Sequence, residues 1–386
     1  MSKIVLDVTR LLNRLYAGLL PTGVDRVGLA YIDRYGSGAR AVLSERGFSA
    51  VLSEKCSQQT FELLVDGHLP SRRAIRSLIA KALLSQTRTA QPTGSVLLHT
   101  SHSGLEYARY FDALKRRNIR TVFMVHDLIP LTHPEYCRPG IDQVHRKRIH
   151  CALSRAAGLI VNSAATLESL KQEACRNSLP LPPHTVARLA PGITNMKPVD
   201  NPLGQPYFVM LGTIEPRKNH WFMLHTWRRL VEQMGEAAPK LVIIGRRGWE
   251  CENVEDILDR CTVLRGSVIE ESECNDERLL AWLQHARALL FPSFVEGYGM
   301  PLVEALILQV PVIASDLSVF HEIASDIPDY LDPLDGPGWL SLIRAYSHTD
   351  SPERASQIER IAGFREPTWT QHFECVDRLL ASLRQP

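Results

Sequence analysis

The chain has 386 residues, 45% of them apolar and 22% charged, a globular composition that excludes wholesale disorder and suits two domains rather than one. No apolar run reaches the roughly 18 residues of a membrane-spanning helix, and Asp7 and Arg10 fall where an export signal keeps its apolar stretch, so a secreted or membrane-spanning protein is not expected. The net charge of +2 conceals opposed halves: 27 Lys/Arg face 15 Asp/Glu over residues 1–200, and 17 face 27 over residues 201–386. Such a split points either to an anionic partner for the first half or to mutual attraction of the two halves, and the residues leave both open. The eight cysteines form no C-x-x-C pair, which argues against a zinc knuckle or a dithiol redox site and for reduced, cytosolic thiols.

In chain order, short apolar runs rich in β-branched residues predict strands at 4–8, 41–43, 95–99, 121–125 and 159–162, then at 207–211, 240–244, 262–264, 288–291 and 312–314. Helical periods lie between them, as at 221–234 and 276–286, and a closing helix is predicted over 367–383. This alternation is that of α/β folds with parallel sheets. Three prolines and a glycine over 198–206 predict a break between two doubly wound domains. The expected organisation is therefore 1–200, 201–366 and a final helix over 367–386.

Two segments carry the chemistry. Phe291-Pro-Ser-Phe-Val-Glu-Gly-Tyr-Gly-Met-Pro-Leu-Val-Glu-Ala305 ends a strand, turns through two glycines and starts a helix at Pro301, with Glu296 in the loop and Glu304 in the helix. Two carboxylates at the carboxyl edge of a parallel sheet suit recognition of sugar or ribose hydroxyls, although a Glu after a strand is commonly only a cap or a solvated face. Gly212-Thr-Ile-Glu-Pro-Arg-Lys-Asn-His220 sets Arg217 and Lys218 in another strand-to-helix loop. Two cations beside helix-start N–H groups make an anion site for which a diphosphate is the natural occupant; the plain alternative is a solvated basic loop.

Together these segments resemble the retaining nucleotide-sugar glycosyltransferases of family four. The resemblance rests on the E-x7-E from Glu296 to Glu304, the Gly-Thr-Ile-Glu-Pro-Arg-Lys-Asn run, Val312-Ile-Ala-Ser-Asp316 with Glu322 downstream, Tyr330-Leu-Asp-Pro-Leu-Asp335 and Pro367-Thr-Trp369. It is strong over about residues 205–375 and weaker before. It implies the GT-B fold, two Rossmann-like domains facing across a cleft, with the last helix crossing back toward the N-terminal domain. It also implies a donor site in which Arg217 and Lys218 hold the diphosphate, Glu296 the sugar and Glu304 the ribose, while the backbone of Gly297, Tyr298, Gly299 and Met300 lies against sugar and phosphates. Many members carry a basic residue directly after the first glycine; here that donor-side position is Thr213. In the first half, Val122-Phe-Met-Val-His-Asp-Leu-Ile-Pro130 resembles the family's active-site segment, which puts His126 beside the reacting sugar carbon. Gly23, opening Gly23-Val-Asp-Arg-Val27, resembles the family's glycine loop near the donor phosphates.

What the resemblance implies is transfer of a hexosyl unit, with retained configuration, from a nucleoside-diphosphate sugar to a glycan or lipid-linked acceptor in surface or capsular polysaccharide synthesis. His126, Glu296, Arg217 and Lys218 would carry the reaction. The donor reading leans to GDP-mannose, with UDP-hexoses and deoxysugar donors close behind. No D-x-D triplet occurs, so no metal or other cofactor is expected. The acceptor is expected on the N-terminal domain, whose Arg72, Arg73, Arg76, Lys81, Lys115, Arg116, Arg117, Arg120, Arg146, Lys147 and Arg148 suit either anionic lipid headgroups or plain solvation. The expected place is the cytoplasm, with peripheral contact at the inner face of the membrane. The competing classes are a catalytically silent GT-B scaffold or binding subunit, and a nucleic-acid binder. The latter lacks interleaved aromatics and any nucleic-acid motif.

Overall fold

A computed structural model describes residues 4–66, 73, 75, 76, 80, 94–192 and 199–383. The chain divides into two compact units. One comprises Met1–Thr132, Gly140–Leu189 and Thr368–Pro386, the other His133–Pro139 and Ala190–Pro367. The main change of unit thus falls at Ala190, ahead of the proline-rich stretch where the sequence places it. Pro198 itself lies outside the described residues.

Among the described residues, the first unit holds β1 (Ile4–Asp7), β2 (Arg40–Glu45), β3 (Phe48–Val51), β4 (Val96–His99), β5 (Arg120–Val125), β6 (Gly158–Val161) and β7 (His184–Val186). They form one sheet in the order β3-β2-β1-β4-β5-β6-β7. All neighbours are parallel except β2 and β3. Those two join through Arg46 and Gly47, both at positive φ (46° and 86°), the backbone that a two-residue hairpin turn requires. The second unit holds β8 (Tyr207–Leu211), β9 (Lys240–Ile244), β10 (Val268–Glu271), β11 (Leu289–Phe291), β12 (Val312–Ser315) and β13 (Asp329–Leu331), in the all-parallel order β10-β9-β8-β11-β12-β13. Both units are α/β and doubly wound. The chain leaves β1, or β8, in one direction and later returns to its other side at β4, or β11. That reversal is where open parallel sheets present their ligand crevice, beyond the carboxyl ends of the strands.

Central strands buried along their whole length, such as β4, β6 and β12, read as continuous apolar runs because helices cover both faces. The helix His220–Met234 buries Met223, Leu224, Trp227 and Leu230, one helical stripe, against the second sheet. One predicted strand is corrected: Thr262–Leu264 is a single 3-10 turn, closed by Gly266 at φ +76°, and the edge strand follows at Val268–Glu271. Leu264 is buried as an isolated anchor rather than as one member of an alternating run.

The closing helix Trp369–Ser382 belongs to the first unit and is pinned by His372. The His372 Nδ1 lies 3.2 and 3.1 Å from the carbonyl oxygens of Ala187 and Arg188, which only accept. Nδ1 therefore carries the proton, and Nε2 accepts from the Tyr31 hydroxyl at 2.9 Å. This arrangement needs a neutral ring, and burial lowers its pKa to about 4 against the opposing pull of the carbonyls. A depressed folded pKa gives stability that is complete above the ordinary value of 6.5 and is lost as pH falls toward 4. Urea midpoints of the wild type are expected to fall through that window, and His372→Gln to flatten part of the slope; equal slopes would remove His372 from this role.

Candidate functional site

At the reversal of the second sheet, the loops after β8 and β11 are joined by charge. The Glu296 carboxylate receives Lys218 Nζ at 2.5 Å on one oxygen and Arg217 Nη1 at 2.7 Å on the other. The Ser293 hydroxyl donates to the first oxygen at 2.8 Å. Arg217 also meets Glu215 through Nη2 at 2.6 Å, so its guanidinium lies between two carboxylates. The backbone repeats the tie: Phe294 N–H donates to the Arg217 carbonyl at 2.8 Å. Burial alone would raise the Glu296 pKa, but Arg217 and Lys218 outweigh it and hold the carboxyl at about 2. Burial lowers the Lys218 pKa, and Glu296 offsets part of that effect.

Glycines set the shape around this cluster. Gly299, at φ +122°, starts the helix Met300–Ile307, and a Cβ there would come within 2.9 Å of the Phe320 ring. Glu304 is buried in the second turn of that helix, and its Oε1 accepts from Gly192 N–H at 3.2 Å. Gly297 and Tyr298 complete the loop, with Tyr298 buried. Tyr136, in the His133–Pro139 segment of this unit, stacks on Phe294 with centroids 5.3 Å apart. Beside Thr213, the loop after β9 runs in backbone contact with the loop after β8. Gly212 N–H donates to the Ile244 carbonyl at 2.9 Å, Ile214 N–H to that of Arg246 at 2.9 Å, and Gly248 N–H to that of Ile214 at 3.0 Å.

In the first unit, His126 follows β5 and is buried. Its Nε2 is 2.8 Å from the Thr100 carbonyl and so carries the proton, which leaves the lone pair on Nδ1. Its backbone N–H donates to His102 Nε2 at 3.1 Å, and Asn162 Nδ2 donates to its carbonyl at 2.9 Å. His145 lies 4.9 Å from His102, ring to ring. Burial lowers the pKa of all three histidines, so they stand neutral. Gly23 opens the helix Gly23–Tyr35 outside the left-handed range, and a Cβ there would meet nothing within 4 Å, so the local packing does not demand a glycine. Asp25, buried, caps that helix by accepting from Thr22 N–H at 2.7 Å and pairs with Arg10 at 2.8 Å and Arg14 at 2.7 Å.

The basic residues of the first unit are less available than their number suggests. Arg148 grips Glu106 with two nitrogens, Arg146 pairs with Glu173, Arg117 donates to the Ser49 carbonyl, Arg120 to that of Leu383, and Arg76 to the Tyr16 hydroxyl. Arg72 and Lys81 lie outside the described residues. A groove of about 700 Å³ lined in part by Lys115, Arg120 and Arg155 lies at the amino ends of β5 and β6, the opposite edge from His126, and Arg155 there is paired with Asp112. We therefore place no chemistry in it. Among the described residues, no group of three or more His, Cys, Asp or Glu is placed to hold a metal ion, and no helix is long and apolar enough to cross a membrane.

Residues 193–327 match the family model described as glycosyl transferases group 1. That stretch is what the chain shares with the family. It spans both loops of the Glu296 cluster. The serotype-specific mannosyltransferase WbdA of Escherichia coli is 30% identical over 275 residues, 65% of this chain and 34% of its own length. O-antigen chain mannosyltransferase B of the same organism is 30% identical over 165 residues, 43% of each chain. This chain thus spans about a third of the length of the first curated relatives it matches. Among solved structures, Anabaena HepE in complex with UDP-glucose superposes with a TM-score of 0.68 at 16% identity, covering 99% of this chain and 100% of that one. Sucrose-phosphate synthase of Thermosynechococcus elongatus gives 0.65 at 14% identity, covering 100% and 99%. The fold is GT-B.

Residue type and spacing single out Arg217, Lys218, Glu296 and Glu304, and the family resemblance adds His126. Glu215, Ser293, Gly192, His102 and His145 gain their roles only from the structure, although Glu215 and Ser293 stand inside the two runs singled out in the sequence. Removing one partner of a buried pair strands the other charge. Glu296→Gln is therefore expected to cost about 3–5 kcal/mol in chemical unfolding, and adding Lys218→Met to recover part of it. The carboxylate's own contribution is complete above its ordinary pKa of 4.5 and fades as pH falls toward 2. A wild-type unfolding midpoint in Glu296→Gln would refute the pairing.

Proposed function

We propose that the chain is a retaining, metal-independent glycosyltransferase that moves a hexosyl unit, mannose from GDP-mannose by preference, to a glycan or lipid-linked acceptor in cytoplasmic steps of surface polysaccharide synthesis. The observation that carries this reading is the Glu296 cluster, two cations and a buried carboxylate fixed at the point where the second sheet reverses. The mannosyltransferase names of the relatives favour the sugar, and the nucleotide sugar bound to HepE favours the donor class.

In this reading Arg217, Lys218 and the N-terminus of the helix Met300–Ile307 stabilise negative charge as the bond between the sugar carbon and the diphosphate oxygen breaks. Glu296 binds a sugar hydroxyl while holding both cations in line, and Glu304 binds the ribose. The acceptor hydroxyl oxygen forms the new bond to the sugar carbon, and its proton passes to a diphosphate oxygen on the same face. His126, neutral with its lone pair on Nδ1, accepts from a hydroxyl of the sugar or the acceptor. Gly23 is assigned to the donor phosphates on resemblance alone. Peripheral membrane contact would fall to the basic residues that are not already paired, such as Lys115 and Lys147.

A thermal-shift series with GDP-, UDP-, dTDP- and ADP-sugars, without metal, tests the donor. A ligand at 100 times its dissociation constant adds about 2.7 kcal/mol. Stabilisation by GDP-mannose is the expected result, with Lys218→Ala and His126→Ala losing most transfer while remaining folded. Stabilisation by another nucleotide would replace the sugar, and stabilisation by none would favour a silent scaffold.

A further inference from the structure

Within the cluster the charges cancel: Glu215 and Glu296 are matched by Arg217 and Lys218 at 2.5–2.7 Å. A diphosphate entering there meets cations already neutralised by buried carboxylates. A further positive charge at the same sheet edge would have to come from a neighbouring element, and the loop after β9 provides one. Arg246 in that loop is exposed and makes no hydrogen bond or ion pair through its side chain among the described residues. Its neighbour Arg247 is consumed by Glu270 at 2.9 Å and Asp259 at 2.7 Å.

The position of Arg246 is set by the backbone, not by chance of the surface. Its carbonyl accepts from Ile214 N–H, between the flanking bonds from Gly212 and Gly248. Glycines permit this contact. A Cβ at Gly245 would fall 1.9 Å from the Gly212 carbonyl oxygen, and one at Gly248 would fall 2.5 Å from that of Ile214 and 2.7 Å from Thr213 Cγ2. The Cα of Arg246 is thereby locked alongside Thr213 and Ile214, one residue from Glu215, while its long side chain keeps its freedom.

We infer that Arg246 is a donor-binding residue, the uncompensated guanidinium that takes up diphosphate charge beside Thr213; this rests on the donor-site reading above. A planar guanidinium suits two phosphate oxygens at once. Arg217 and Lys218 then align the diphosphate and keep Glu296 ionised, and Arg246 supplies the net attraction.

Calorimetric titration of the full chain with GDP and with guanosine tests this, with UDP and uridine substituted if the wild type prefers them. Arg246→Ala is expected to weaken the diphosphate about tenfold or more, the usual weight of one charge-assisted contact, and to leave the nucleoside unchanged. Adding Thr213→Lys, which moves the charge across the backbone ladder, is expected to restore most of the loss, and Arg246→Gln to behave as Arg246→Ala. Unchanged diphosphate binding in both Arg246 variants, with binding lost in Lys218→Ala, would overturn the inference and leave the site reading intact. A wild type that binds neither diphosphate would overturn the site reading and this inference with it.

Discussion

Glu296 is a carboxylate taken out of water, and the second unit sets two cations and a hydroxyl around it that keep it ionised. Burial disfavours the charge, and Arg217, Lys218 and Ser293 restore it. Because those partners come from the turn after β8 and from the turn that holds Glu296 itself, electrostatics tie together the two strands at which the sheet reverses. The surroundings follow from that tie. Phe294 and Arg217 share a backbone bond, Gly299 lets the next helix start against Phe320, and Tyr136 closes over Phe294. Under the proposed function, charges assembled in this way are oriented before the donor arrives, which leaves little reorganisation for the transfer step.

The first unit treats charge differently. Its sequence is strongly basic, yet the structure satisfies many of those arginines locally, with carboxylates such as Glu106 and Glu173 or with backbone carbonyls. Its buried ionisable cluster is made of histidines that stand neutral. His126 donates with one nitrogen and keeps a lone pair on the other, while its own N–H fixes His102 as an acceptor. A ring held in one tautomer by a backbone carbonyl can recognise a hydroxyl without adding charge.

Much of this was legible in the residues. Fully buried central strands announce themselves as apolar runs, and β4, β6, β8 and β12 were found for that reason. The edge strands β3, β7, β10 and β13 were not: they are short and partly exposed, and β10 carries Glu270 and Glu271 on its exposed edge. The opposite error, reading a strand into Thr262–Leu264, arose because three residues suffice to look apolar without having to alternate. At the site, residue type and spacing marked the charged groups but not their companions. Ser293 and Glu215 are ordinary residues until a fold sets them beside Glu296 and Arg217. Gly192 meets Glu304 across more than a hundred positions, and no local pattern encodes such a meeting.

The covalent path through the two units is itself informative. The chain passes from one to the other after Thr132, after Pro139, after Leu189 and after Pro367. The short excursion over His133–Pro139 delivers Tyr136 to Phe294 and to the indole N–H of Trp249. The two units are thus not beads that evolution or an engineer could exchange at a single junction. A second unit grafted from Ala190 onward would arrive without the Tyr136 ring that stacks on Phe294, and the unit left behind would lose the helix pinned by His372. Recombination between chains built this way has to respect four seams at once, so the second unit is more easily varied by substitution within its loops than by swapping halves.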